Sequence, residues 1–456
     1  MQTPNVVLIS LDSLRADHLP FYGYNRETTP TLSSLILRDD VILFKNAYTT
    51  TAWTHPAHAS VFTGLYPSEH GVLDGNFEID PQITLPAKLS TAGYDTIAFL
   101  NNGWLTRSNI TDGFNERVDI FEMDPPSNVI TRNLNRLKML LSLTDSGAKQ
   151  TIANFERRHS TLSQPFFAFF HFMEPHYLYD PVRPHHRSYT TQSKIRLLLK
   201  QREVYTQRGK FYDGQVSIND SHMEGFVELY DGEIEYIDSQ LEKLFSLLKA
   251  ESKFDDTMII VFGDHGELFG QNGLIGHHFS LANELLHVPL LVKWPEEYRP
   301  IAESQVESYV QISDLFGTIL AAAGLGNEFP DARTLETKVS TDTHTIYAEY
   351  RTPQSLINKF EDQISNGSFP SHLNTDIKAF RRENYKLVIE SGEKKLYDVK
   401  SDPDETNDIS DERPDLVFDL FEKLNKREGD DYQLSDGSAV SFSDAVKEQL
   451  QNLGYI

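Results

Sequence analysis

The stretch Thr54-His55-Pro56-Ala57-His58-Ala59-Ser60-Val61-Phe62-Thr63-Gly64 has residue types that suit a nucleophile at a helix entrance. Pro56 fits a first helical turn, where its missing N–H costs nothing, and Gly64 fits the C-terminal stop. Thr54 then falls at or just before the helix N-terminus, where unpaired N–H groups and the macrodipole favour negative charge. His58 follows one turn later on the same face. A hydroxyl placed there can become an alkoxide. The same residues also read as a plain N-cap threonine ahead of a packed helix. The stretch is expected to lie outside the core.

Other reactive types cluster where apolar runs stop. Asp12 ends the first such run, and Asp264-His265 ends a later one. Two carboxylates and an imidazole suit one divalent cation: Mn²⁺ is favoured, Zn²⁺ is suitable, and Ca²⁺ is less comfortable because of the nitrogen ligand. Each aspartate alone reads equally well as a helix cap, but both together, with a histidine adjacent, point to metal. In Gly276-His277-His278 one imidazole could bind an oxyanion or protonate a leaving group, and His176 after Glu174-Pro175 has the same scope. The bland alternative for both is surface histidine. Asn76, Asn101 and Asn102 can donate to anionic oxygens or simply form turns. Arg15 is equally able to pair with a neighbouring carboxylate or to meet an anion. Asp17 and His70 read as structural.

These residues need a frame that brings strand ends together. Asn5-Val6-Val7-Leu8-Ile9-Ser10-Leu11 is apolar with little alternation, as expected of a strand buried on both faces. Runs at 94–100, 165–172, 257–263 and 288–294 repeat the pattern. Helical spacing fills the intervals, notably over 225–250. Alternating strands and helices predict an α/β fold, a doubly wound, mostly parallel sheet flanked by helices, whose site forms at the carboxyl ends of the strands. Residues 1–335 are read as the catalytic domain, with an inserted cap-like segment at about 124–220. Residues 336–456 are read as a smaller C-terminal unit of antiparallel sheet plus helix, from the β runs at 344–350, 385–389 and 394–399.

Composition sets the outer limits. The chain has 456 residues, a formal net charge of −25 and no cysteine. The charge argues against a nucleic-acid backbone or an anionic membrane as a main partner. A small anionic ester remains compatible, because one bound cation reverses the local field. Disulfides, thiolate zinc sites and a cysteine nucleophile are excluded. No basic leader pattern precedes the first strand, and no apolar run approaches bilayer length, so a cytoplasmic location is the default expectation.

Taken in order, the run ending at Asp12, Thr54-x-Pro56-Ala57-x-x-Ser60-x-x-Thr63-Gly64, Tyr66-Pro67-x-x-His70-Gly71, Asp264-His265-Gly266-Glu267 and Val288-Pro289-Leu290 resemble the sulfatase family of the alkaline phosphatase superfamily. Lys394-Lys395-Leu396-Tyr397-Asp398-Val399 with Asp402-Pro403-x-Glu405-x-Asn407 is similar to that family's C-terminal part. The resemblance implies one divalent cation held at Asp12, Asp264 and His265, a nucleophile at Thr54, and contacts from Asn76, His176 and His277 to the transferred or leaving group. His277 falls where several relatives carry lysine.

Two departures from the family pattern bear on chemistry. The sulfatase signature is Cys (or Ser)-x-Pro-x-Arg with the first residue oxidised to formylglycine; here Thr54 and His58 stand at its two ends. Threonine cannot give the aldehyde, because its Cβ already bears a methyl group. A further metal-binding carboxylate of many sulfatases is replaced by Ser13, a weaker ligand. An unmodified threonine ester must be cleaved by direct attack of water, which favours phosphoryl chemistry. The expected function is therefore a metal-dependent hydrolase of phosphate or sulfate esters, with phosphodiesters or phosphonate monoesters ahead of sulfates. A sulfatase, a phosphotransferase using an alcohol acceptor and a non-catalytic binding protein stand as alternatives.

Overall fold

The computed structural model describes residues 3–73, 78–120, 144–295, 298–341, 344–364 and 369–428. Asn76, part of the expected cap (124–143) and the end of the C-terminal unit (429–456) lie outside the described residues.

The main sheet has eight strands: β1 (Asn5–Leu11), β2 (Val41–Tyr48), β3 (Asp95–Leu100), β4 (Glu116–Asp119), β5 (Phe166–Phe172), β6 (Thr257–Gly263), β9 (Leu290–Lys293) and β10 (Gln305–Gln311), with β7 (Leu268–Phe269) and β8 (Ile275–Gly276) forming a separate small hairpin. The order is β10-β2-β9-β6-β1-β5-β3-β4. β9 pairs antiparallel with both neighbours, while the other pairs are parallel. Every residue of β1, β5 and β6 is buried, which is why their sequences are apolar without alternation. Val7, Ile9 and Leu11 point into one core and Val6 and Leu8 into the other. Each such side chain contributes about 1.5–3 kcal/mol on burial. The long helix Asp220–Ala250 and the helix Ala148–Arg158 cover the first face; Thr54–Thr63, Leu85–Thr91 and Asp314–Ala322 cover the second.

The central register positions the site. Leu11 pairs with Gly263 of β6 and with Phe172 of β5. The next residues, Asp12 and Asp264, therefore leave the sheet side by side at its carboxyl edge, as the parallel geometry demands. β3 lies beside β5, with Phe99 level with Phe170, so Asn101 and Asn102 emerge at the same edge.

Strands β2, β4 and β10 escaped the apolar-run reading. β10 alternates exposed and buried residues along Gln305-Val306-Glu307-Ser308, as an edge strand does. A second sheet, β11 (Thr345–Tyr350), β12 (Ile377–Arg382), β13 (Tyr385–Glu390) and β14 (Glu393–Asp398), is an antiparallel meander. β12 also went unread, its two central basic–apolar alternations giving no continuous run. Ser391 and Gly392 both take positive φ, 52° and 82°, and close the β13–β14 hairpin. The helix Pro414–Glu428 packs Leu420 and Leu424 on this sheet. Among the described residues, no helix is long and apolar enough to cross a membrane.

Candidate active site

Thr54 is the first residue of the helix Thr54–Thr63, after Trp53 in extended conformation, and the Trp53 side chain makes no capping hydrogen bond. The first-turn N–H groups thus face the site with their partial positive charge. The expected position outside the core is overturned. All ten residues of this helix are buried, Thr54 and His58 completely, because the helix is wedged against the sheet by Ala57, Val61 and Phe62.

The Thr54 hydroxyl oxygen lies 3.3 Å from Nε2 of His265 and 3.4 Å from Oδ2 of Asp12. Nδ1 of His265 donates to the Gly266 carbonyl at 2.8 Å. A carbonyl only accepts, so Nε2 carries the lone pair and faces the cluster. Oδ1 of Asp264 accepts from the backbone N–H groups of Ser13 (3.1 Å) and His265 (2.9 Å). Its Oδ2 has no hydrogen-bond partner among the described residues and sits 3.7 Å from His265 Nε2. One oxygen is thereby locked, and the other is presented inward. Ser13 adopts φ 62°, a left-handed conformation that costs about 1 kcal/mol for a non-glycine residue. That conformation aims its N–H at Asp264 while its hydroxyl donates to Asp12 Oδ1 at 3.3 Å.

Asp12, Asp264 and His265 each offer a ligand atom, mutually within 4.8 Å, and all three are buried. They fit a divalent cation, because buried carboxylates need either a counter-charge or a proton. Burial opposes the charge on Asp12, yet His176, His171 and His265 together hold its carboxyl below the usual range. Burial and then the charge of Asp12 push Asp264 well up. A cation between them would replace that proton. A second group, His58, His171 and Asp264, is also close enough. There, however, Nδ1 of His58 donates to the Thr54 carbonyl at 2.8 Å, and Nε2 faces the Ser10 hydroxyl at 2.9 Å. His58 is thus committed to holding the nucleophile's backbone, and the first group is the better cage.

A wall of imidazoles faces this cluster. The rings of His265 and His277 are 4.6 Å apart, those of His277 and His278 4.4 Å, and those of His176 and His277 5.1 Å. Nδ1 of His176 donates to the Tyr177 carbonyl at 2.6 Å, which leaves its Nε2 basic. Burial pulls His176 down to about 4 and His277 well below its ordinary value. These rings are neutral at pH 7.

Not every expected residue reaches the cluster. Asn101 spends its amide on the Ser146 carbonyl, 2.6 Å away, and its neighbour Asn102 donates to Asp12 Oδ2 at 3.2 Å instead. Arg15 resolves to the carboxylate reading: Nε donates to Asp17 at 2.8 Å and Nη1 to the Glu267 carbonyl at 3.0 Å. Asn76 lies outside the described residues. His171, Glu267 and Arg208 are buried at or beside the site and were not singled out from sequence. His171 sits inside the apolar β5 run, and Glu267 directly follows the Asp264-His265 pair. Arg208 lies on the short helix Arg208–Tyr212, where no spacing betrays it.

The sulfatase family profile matches residues 4–325. The chain belongs to the sulfatase family, within the alkaline phosphatase superfamily, and is an ester hydrolase. It is 25% identical, over an alignment 484 positions long, to the multifunctional alkaline phosphatase superfamily protein PehA of Trinickia caryophylli, covering 90% of this chain and 92% of that protein. Its fold is similar to that of the phosphonate monoester hydrolase of Agrobacterium radiobacter, with a TM-score of 0.71 at 22% identity over 92% of this chain and 94% of the other. The phosphonate monoester hydrolase of Silicibacter pomeroyi gives a TM-score of 0.68 at 18% identity, over 94% and 96% of the two chains.

Proposed function

We propose that this chain hydrolyses phosphodiesters or phosphonate monoesters through a covalent phosphothreonine at Thr54, with sulfate esters a poorer second substrate class. The observation that carries the reading is the Thr54 hydroxyl, buried at a helix N-terminus within 3.4 Å of both Asp12 and His265. The relative described as multifunctional, and the fold shared with phosphonate monoester hydrolases, support it.

Asp12, Asp264 and His265 would hold one divalent cation, with Mn²⁺ favoured. When bound, such an ion lowers the pKa of a coordinated hydroxyl and screens the charge of the transferred group. The remaining work falls to side chains of this chain. The Thr54 hydroxyl has one proton to give, which Asp12 Oδ2 accepts, and His58 pins the Thr54 carbonyl. The Thr54 oxygen bonds to phosphorus as the bond to the leaving oxygen breaks, and the helix N-terminus stabilises the equatorial oxygens. The proton given up by Thr54 reaches the departing oxygen by way of His277, whose neutral imidazole takes it up and hands it on, so that an alcohol leaves. Water then attacks the phosphothreonine; its proton is accepted at His176 Nε2 and returned to the Thr54 oxygen as the bond from phosphorus to that oxygen breaks, which restores the hydroxyl. A threonine ester has no C–O cleavage route of the formylglycine kind, so attack at the central atom is required. That requirement ranks phosphorus ahead of sulfur.

The test is one panel of aryl sulfate, phosphomonoester, phosphodiester and phosphonate monoester substrates, run with Mn²⁺, Zn²⁺ and Ca²⁺. The reading expects the last two ester classes to lead. Sulfate turnover dominating the panel would overturn it.

A further inference from the structure

Arg208 is fully buried, although it belongs to a five-residue helix in the inserted segment. Its guanidinium lies over the rings of Tyr177 and Phe360, 5.2 and 5.3 Å from their centroids. Stacking covers the faces of the planar group, and its N–H donors point out along its edge. The position is fixed from behind: a Cβ on the next residue, Gly209, would meet the Phe360 carbonyl oxygen at 2.2 Å, and the Gly209 N–H is held by Gln363. The edge lies close to the backbone before His277, since a Cβ on Gly276 would be 3.4 Å from Arg208 Nη1. Tyr177, the ring under the guanidinium, stacks on His176 and is 6.1 Å from His277. Arg208 therefore stands one ring beyond the histidines that face Thr54.

Two further groups converge on this place. His278 is buried, and the Tyr350 hydroxyl lies 3.3 Å from its Nδ1. With the tyrosine proton on that contact, Nε2 is the N–H donor, and it has no hydrogen-bond partner among the described residues. Lys359 is half-buried on the helix Gln354–Glu361, next to the Phe360 that carries the guanidinium. Burial and the charge of Arg208 push its ammonium down to about 7, as expected of two cations crowded together before an anion arrives. Glu267 is the carboxylate at this spot, 3.7 Å from the same Gly276 Cβ position.

We propose that Arg208, Lys359 and His278 form a second anion subsite beyond His277, which takes a carboxylate, sulfate or phosphate carried on the leaving alcohol of the substrate. The preferred esters are then those with two separated negative charges, one at the reacting group and one on the alcohol. This rests on the ester-hydrolase reading for the position of the leaving group.

The test compares 4-(carboxymethyl)phenyl and 4-(carbamoylmethyl)phenyl esters of methylphosphonate, which match in size and differ in charge. The wild-type protein is expected to prefer the carboxylate by about tenfold or more in kcat/KM, chiefly through KM. Arg208→Gln brings that ratio close to one, Arg208→Lys restores part of it, and Lys359→Met lowers it by a smaller factor without altering the buried guanidinium. Calorimetric binding of both esters to Thr54→Ala measures the same preference whether or not either ester turns over. Equal or weaker binding of the carboxylate by wild type and Thr54→Ala, or an unchanged ratio in both Arg208→Gln and Lys359→Met, would overturn the subsite. A binding preference without turnover of either ester would count against the hydrolase reading alone.

Discussion

Thr54 Oγ1 and His265 Nε2 stand 3.3 Å apart across a sequence separation of 211 residues. The pairing of β1 with β6 sets one side of this contact, and the buried helix after Trp53 sets the other. Thr54→Ala removes the nucleophile while taking away only a hydroxyl and a methyl group. Turnover is expected to fall by at least about a thousandfold, with a stability loss of about 1–2 kcal/mol. Thr54→Ser should retain measurable activity. Steady-state rates and thermal melts of the two variants check this, and full activity in Thr54→Ala would remove the assignment.

Cation dependence follows from the carboxylate pair. Chelation should abolish turnover, and Mn²⁺ should restore it best. Binding must displace the proton that the pair otherwise holds on Asp264, so affinity is expected to weaken as pH falls. Calorimetric titration with Mn²⁺ at several pH values reads both the affinity and the proton release. Affinity independent of pH would contradict this placement.

Gly266 allows the Asp264-His265 turn to press against its neighbour. A Cβ there would lie 1.8 Å from the Glu284 carbonyl oxygen and 3.2 Å from Arg15 Cγ. Neither the backbone oxygen nor the paired arginine can yield cheaply. Gly266→Ala is expected to cost about 2–4 kcal/mol and to weaken cation binding at least tenfold by shifting His265. Melting temperature and Mn²⁺ titration of the variant test both parts together; a variant as stable and as avid as wild type would refute the close approach.

Acid should destabilise the fold through buried histidines. Burial pulls His55 and His70 each down to about 3, against about 6.5 in an unfolded chain. Their folded pKa is depressed, so the unfolded state binds more protons between those values. Their stabilisation is complete above about pH 6.5 and is lost as pH falls toward 3. His55 faces Ser108 and His70 faces Ser60, both inside the structure. The melting temperature should drop steadily from pH 7 to pH 4, and His55→Gln should flatten that slope. A flat profile in wild type would contradict the buried neutral state.

Much of this arrangement was legible in the sequence, because it rests on strands buried on both faces. β1, β5 and β6 announce themselves as unbroken apolar runs, and their ends name Asp12 and Asp264-His265. What register adds is which neighbour faces in. Asn101 and Asn102 are adjacent, and only strand direction decides that Asn102 reaches Asp12 while Asn101 reaches Ser146. Arg15 was undecided for the same reason, its partner Asp17 being so near that spacing alone could not separate ion pair from anion site. The burial of the Thr54 helix is not legible in the sequence because Thr54, His55 and His58 are polar, whereas the packing on both sides comes from remote elements. Arg208 was silent, since what makes it notable is the aromatic stack from Tyr177 and Phe360, both distant in the chain.

Chemical capture of the covalent intermediate reports on Thr54 as the nucleophile without relying on rates. The enzyme is mixed with a phosphodiester or phosphonate monoester, quenched in acid within the first turnover, digested, and the peptide containing Thr54 is weighed by mass spectrometry. This peptide is expected to gain the mass of the transferred phosphoryl or phosphonyl group on Thr54, and the gain to disappear in Thr54→Ala. Turnover of the ester with this peptide unmodified at every quench time, or the modification found on another residue, would contradict it.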